Sequence, residues 1–249
     1  MSTQANANTN ESHWAGMDPN GKRFYQLGGA TALALLVYTL VTLVILVVLG
    51  GQPKTALEGF GMLKANRLVG LLRLDILTIL VIPLYYLLFF GIYRVLRHTD
   101  ETFASLASLL VFAGVTLVLA TPSAFSWLAL SDKFAAATDP AQKTQLLAAG
   151  EAILASDLWH GSGAFVGGIL MQTGALLVSA IMLRSRAFGK LTAWLGIVMF
   201  GLDLANTLIG SIFPAGSAIL MAVAGTLYLA WFPLLARDFF RLARHISEA

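Results

Sequence analysis

Residues 31–49 read TALALLVYTLVTLVILVVL, without a single Asp, Glu, Lys or Arg. A helix rises 1.5 Å per residue, so a run of this kind crosses most of a ~30 Å hydrocarbon core. Barrel strands would show short alternating segments instead. A helix also satisfies its own backbone polar groups, which lipid demands. Gly50, Gly51 and Pro53 end the run with residues that break helices.

Working outward, the same character extends back to 26 and recurs at 68–96 with Asn66 as a cap, at 103–130 capped by Thr99 or Asp100, and at 158–183, 191–213 and 217–235, the last continuing as a polar turn through Arg244. The expected fold class is all-α: a polytopic transmembrane helical bundle of about six spans. Composition agrees. Of 249 residues, 57% are hydrophobic and 12% charged, where a soluble domain carries about 25% charge. Mean hydropathy is +0.77. Length suits one bundle, so 1–25 reads as a disordered cytoplasmic tail and 26–249 as a single transmembrane domain. The tail is too long and polar for a signal-peptide n-region, so the first helix reads as retained. The absence of cysteine excludes disulfides, thiolate metal sites and a cysteine nucleophile.

The cations set an orientation. With the N-terminus inside, Lys22, Arg23, Arg94, Arg97, Arg184, Arg186, Lys190, Arg237, Arg241 and Arg244 face the cytoplasm, and Lys54, Lys64, Arg67, Lys133 and Lys143 face outward. The positive-inside bias therefore places both termini in the cytoplasm of a cell that inserts the chain in its cytoplasmic membrane. The formal charge of +3 is explained by these helix ends, and no nucleic-acid partner is expected. Two outer segments are more than turns. Leu57, Phe60 and Leu63 recur at helical spacing within 51–65. Within 131–157, Asp139-Pro140 is a cap followed by proline at the first helical position, and Leu146, Leu147, Ile153 and Leu154 follow. This predicts a short amphipathic outer helix between spans three and four, lying on the interface or packed over the bundle as a linker.

Ionisable groups inside a membrane are costly and are usually paired or functional. Arg73, Asp75, His160 and Asp203 fall in spans, with Asn206 near Asp203, and Ser123 and Trp127 in the outer part of the third span. By residue count Asp75 and Asp203 lie ~10 and ~15 Å from the outer end. These groups predict an outward-facing polar pocket lined by Arg73, Asp75, Ser123, Trp127, His160, Asp203 and Asn206. The competing reading is structural: Arg73 pairs with Asp203 across two helices, and Asp75 bonds a hydroxyl.

No metal is expected, because one histidine with scattered carboxylates does not form a convergent ligand set. No cofactor is expected either. His13, His98 and His245 leave His160 without a haem-ligating partner, no lysine lies inside a span for a Schiff base, and no nucleotide motif is present. Gly163 and Gly167 form a GxxxG with Gly174 further on, a face for close helix contact within the bundle or in a homo-oligomer. Pro83 and Pro233 should bend their spans. Trp127, Trp159, Trp194 and Trp231 lie toward span ends, where interface belts collect aromatics, and Tyr85, Tyr86, Phe89 and Phe90 lie deeper.

The stretch 66–72 (NRLVGLL), the segment from Ser131-Asp132-Lys133 to Gly150-Glu151, the run from Asp157 to Gly163 and the closing Tyr228-Leu229-Ala230-Trp231-Phe232-Pro233-Leu234 resemble the bacterial membrane-protein family called domain of unknown function 4386. The likeness covers the chain from about Leu27 onward. It implies six helices and a bacterial inner membrane, and it supplies no functional residues. The expected function is binding of a small molecule or lipid in the outer pocket, for sensing or transport, with membrane lipid as a partner. The alternatives are a membrane-embedded enzyme using Asp75, His160 and Asp203, or a structural subunit of a membrane complex.

Overall fold

The computed structural model describes residues 21–74, 76–121, 123–156, 161–210 and 212–248. The described residues form helices and turns, with no strand. Helix α1 (Gly21–Leu49) is followed by α2 (Ala56–Ala65), α3 (Arg67–Arg73), α4 (Ile76–Val81), α5 (Leu84–Leu96), α6 (Glu101–Leu119), α7 (Ala124–Ala136), α8 (Pro140–Ala155), α9 (Ser162–Arg184), α10 (Lys190–Ile209) and α11 (Pro214–Glu248). Six stretches are long and apolar enough to cross a membrane. In the most apolar window of the first, only 11% of the residues are buried within the protein, and no window exceeds 39%. The rest of that apolar surface requires lipid.

The spans form a ring. In sequence order α1, α5, α6, α9, α10 and α11 each pack on the next, and α11 returns to α1. The tightest seam joins α6 and α9. A Cβ added to Gly167 would meet the carbonyl of Gly114 at 2.9 Å, and one on Gly174 would meet Val111 Cγ2 at 2.8 Å. Small residues let these backbones touch, giving dispersion contact where no hydrophobic effect operates. Gly167 is thus spent inside the bundle, while Gly163 lies on the exposed edge. The α1–α11 seam works similarly, with Gly28 and Gly29 against the rings of Phe239 and Phe240.

Several local signals act as the sequence suggests. Asn66 caps α3 through Val69 N (3.1 Å), Asp100 caps α6 through Phe103 N (3.1 Å), and Asp139 caps α8 through Ala141 N (3.2 Å). Gly50 ends α1 at φ 90°, a conformation that costs glycine nothing. Other boundaries differ from the sequence reading. α1 starts at Gly21, and Tyr25 is buried in the core, so 21–25 is helix, while 1–20 lies outside the described residues. The second span is interrupted at 82–83, because Pro83 has no N–H to offer Ile79. Pro233, by contrast, sits within continuous α11. The polar turn expected beyond Leu235 is a continuation of α11.

Within the third apolar stretch, which runs from Glu101 to Ala136, helix α6 ends at Leu119, just before a proline that cannot extend a helix. The residues beyond it belong to a separate cap made of α2, α7 and α8 with its own core. Phe60 and Trp127 meet edge to face, with centroids 5.6 Å apart, and Ala56 and Leu63 are buried beside them. Gly150 of α8 lies against Ala56 and Phe60. Glu151 Oε1 accepts a hydrogen bond from Ala56 N (2.7 Å), so α8 caps the start of α2. The helix between spans three and four is therefore a packed part of this cap.

At the opposite end, where α1 starts and α11 finishes, Asp238 is wholly buried. Its Oδ2 accepts from Gly189 N (2.8 Å) and Thr192 Oγ1 (2.7 Å), capping α10 from α11. Arg237 and Arg241 pair with Oδ1, and Arg241 also donates to Ala187 O (2.9 Å). Asp238→Ala should lower unfolding stability in detergent by about 2–4 kcal/mol, because the buried Thr192 hydroxyl and the half-buried Gly189 N–H lose their acceptor. Gly114→Leu should cost about 1–3 kcal/mol by overpacking the α6–α9 seam. Gly225→Ala, where an added Cβ meets nothing within 4 Å, should leave the melting temperature unchanged or raise it.

Candidate functional site

Packing density is uneven along the ring. In α1, every buried residue lies between Gly21 and Leu35. In α10 the buried residues run from Thr192 to Phe200, and none follow in 201–209. In α11, Ala224 is the one buried residue described between 219 and 230, while Trp231, Phe232, Leu235 and Phe239 are all buried. The bundle is closed at the end bearing the termini and loosely packed toward the cap. A layer of rings makes the floor. Phe200 lies edge-on to Trp231 (5.3 Å) and near Phe89 (6.4 Å), and Trp231 donates from Nε1 to Thr192 O (3.1 Å).

Directly above that floor the interior becomes polar. Tyr228 donates to Asp203 Oδ2 at 2.6 Å. Asp203 Oδ1 accepts nothing from the described residues, and the side chain is partly exposed. Tyr228 stands edge-on to Phe200 (6.0 Å), which anchors the phenol that holds the carboxylate. Tyr85 lies within electrostatic range of Asp203, Tyr38 and Tyr228. Tyr38 and Thr78 share a 2.7 Å hydrogen bond between α1 and α4. Thr207 Oγ1 lies 3.0 Å from the Gln172 side-chain amide and from Asp203 O, tying α9 to α10. Five spans therefore contribute polar side chains to one level of the interior.

An ionised carboxylate facing hydrocarbon is strongly disfavoured, so such groups are found facing bundle interiors, cavities or partners. Asp203 has one phenolic donor and one open oxygen. The second oxygen therefore keeps its capacity to accept a hydrogen bond, above the ring layer of Phe200 and Trp231.

The described residues among those singled out from sequence are dispersed. Arg73 donates from Nε to Gly51 O (2.8 Å) and pairs with Glu58 (3.4 Å), so it ties the α1–α2 turn to α3 and does not pair with Asp203. Ser123 occupies the N-cap of α7 without a side-chain capping bond. Trp127 is in the cap core. Asn206 Oδ1 accepts from Ser217 Oγ (2.6 Å), bracing the α10–α11 turn. Asp75 and His160, like Asp157, Trp159 and Pro122, lie outside the described residues. Asp203 is nearer the cap end than the residue count gave, since α10 ends at Ile209; six residues correspond to ~9 Å.

Tyr38, Thr78, Tyr85, Gln172 and Tyr228 escaped the sequence reading. Their one signal is polarity at span centres, and a tyrosine there reads equally well as lipid-facing. Trp231 is core and Trp127 is cap interior, so neither belongs to an interface belt; Trp194, 56% exposed, fits one.

Fold and site together define a multi-pass α-helical membrane protein with a polar centre inside a six-span ring. No family model, curated protein or solved structure matches the chain.

The Asp203–Tyr228 bond is testable without a ligand. Tyr228→Phe and Asp203→Asn should each change stability in detergent, and the double variant should show a coupling of about 1–2 kcal/mol between them.

Proposed function

We propose that the protein binds a small molecule or lipid at the Asp203–Tyr228 centre, reached from the cap end, and senses or moves it. The observation that carries this reading is the open oxygen of a carboxylate held by a tyrosine above an aromatic floor. The loosely packed walls of α1, α10 and α11 give a lipid-soluble ligand lateral access, and Tyr38, Tyr85 and Gln172 supply further hydrogen-bonding groups at the same level. The enzymatic alternative needs Asp75 and His160 beside Asp203, and the first two lie outside the described residues.

In this reading the cap faces outward and both termini face the cytoplasm of a bacterial inner membrane. The cation distribution and the resemblance to the domain of unknown function 4386 family support that placement. The cysteine-free chain makes orientation directly measurable: with single-cysteine variants in intact cells, a membrane-impermeant thiol reagent should label Lys143→Cys and spare Lys190→Cys.

Ligand binding is tested by native mass spectrometry of the gently solubilised chain, wild type beside Asp203→Asn. A discrete bound mass in the wild type, absent from the variant, is the expected result. No bound mass in either, with a marked fall in the variant's melting temperature, would make Asp203 a structural brace and end the proposal.

A further inference from the structure

At the termini end, α1 and α11 touch through Gly28, Gly29, Phe239 and Phe240 and then leave a groove of about 360 Å³ lined by Lys22, Gln26, Phe240, Ala243 and Arg244. Lys22 and Gln26 are one turn apart on α1, and Phe240 and Arg244 one turn apart on α11, so each pair shares a face. The two helices bring a lysine, a primary amide and an arginine around an apolar base.

The cations here differ from their neighbours. Arg237 and Arg241 are committed to Asp238. Lys22 and Arg244 are exposed and form no ion pair among the described residues. Uncompensated charge beside an apolar wall suits an anion that carries its own hydrocarbon. That wall is present: Leu27 and Leu33 on α1 are 43% and 41% exposed, on the span running away from the groove into the membrane. A free anion would gain nothing from it. A guanidinium matches two phosphate oxygens and an ammonium adds a point charge. Basic pockets between spans at a membrane surface take lipid head groups for this reason.

We propose that this groove holds the phosphate of an anionic phospholipid from the adjacent leaflet, with Arg244 and Lys22 on the phosphate, Gln26 donating to it, and the acyl chains lying along α1. The proposal rests on the six-span membrane fold alone and is independent of the Asp203 site.

The test titrates the full chain in detergent with phosphatidylglycerol or phosphatidylcholine and reads the bound lipid by native mass spectrometry. Phosphatidylglycerol should be retained in preference to phosphatidylcholine, which has the same phosphate but no net charge. The double variant Lys22→Gln/Arg244→Gln should weaken phosphatidylglycerol binding about tenfold or more. Lys190→Gln, a control at the same end, should leave it unchanged, and the charge-conserving Lys22→Arg/Arg244→Lys should keep most of it, which separates charge from misfolding. Equal binding of the two lipids, equal loss in the Lys190 control, or undiminished binding in the double glutamine variant would overturn the proposal. Displacement of the lipid by millimolar inorganic phosphate would also overturn it, by showing a site for the free anion.

Discussion

The cap-end geometry depends on how α10 and α11 are fastened at the other end. Asp238 brings a carboxylate from the side of one helix to the open N-terminus of another, where Gly189 N–H has no partner within its own helix. Thr192 adds its hydroxyl, and its carbonyl receives Trp231. One buried acid thus sets the distance between two spans and places Trp231 against Phe200. With the floor fixed, the upper parts of α1, α10 and α11 need not touch closely, because lipid can cover what protein does not. A polar centre can persist there only because the closed end carries the packing.

The cap solves a different problem. Its two segments could have been short turns, yet they build a second core around Phe60 and Trp127, and Glu151 of one satisfies the helix start at Ala56 of the other. Arg73 belongs to this economy of backbone bonds, since it serves Gly51 O and Glu58 at the foot of the cap. A charged residue near a span is therefore not automatically a ligand group. Asp203 differs because its second oxygen has no such occupation among the described residues.

The spans, most helix starts and the α8 helix were legible in the sequence, because each depends on local patterns: apolar length, a capping side chain, a proline at a first turn. The capping roles of Asn66, Asp100 and Asp139 are of this kind. What was illegible depends on pairs distant in sequence. Nothing near Asp238 announces that it caps α10, and nothing near Tyr228 names Asp203. Depth alone grouped Arg73, Trp127, Asp203 and Asn206, but depth does not say which way a helix face turns. The break in the third stretch after Leu119 is illegible because the residues beyond it are as apolar as lipid-facing ones, although Trp127 and Phe134 cover Phe60. Buried tryptophans were read as interfacial for the same reason.

The ring has a consequence for how the chain is made. Of the six spans α1 emerges first, yet the helix that completes its seam is the last of them to be synthesised: Gly28 and Gly29 wait for Phe239 and Phe240. Until then α1 has only bilayer around much of its surface. It is also the most apolar span, with a mean hydropathy of 2.9 in its best window, which suits a segment whose α11-facing side stays in lipid until the sixth span is made. Its unpaired glycines are held in reserve through that interval, and arrival of α11 turns an open row of five helices into a closed circle.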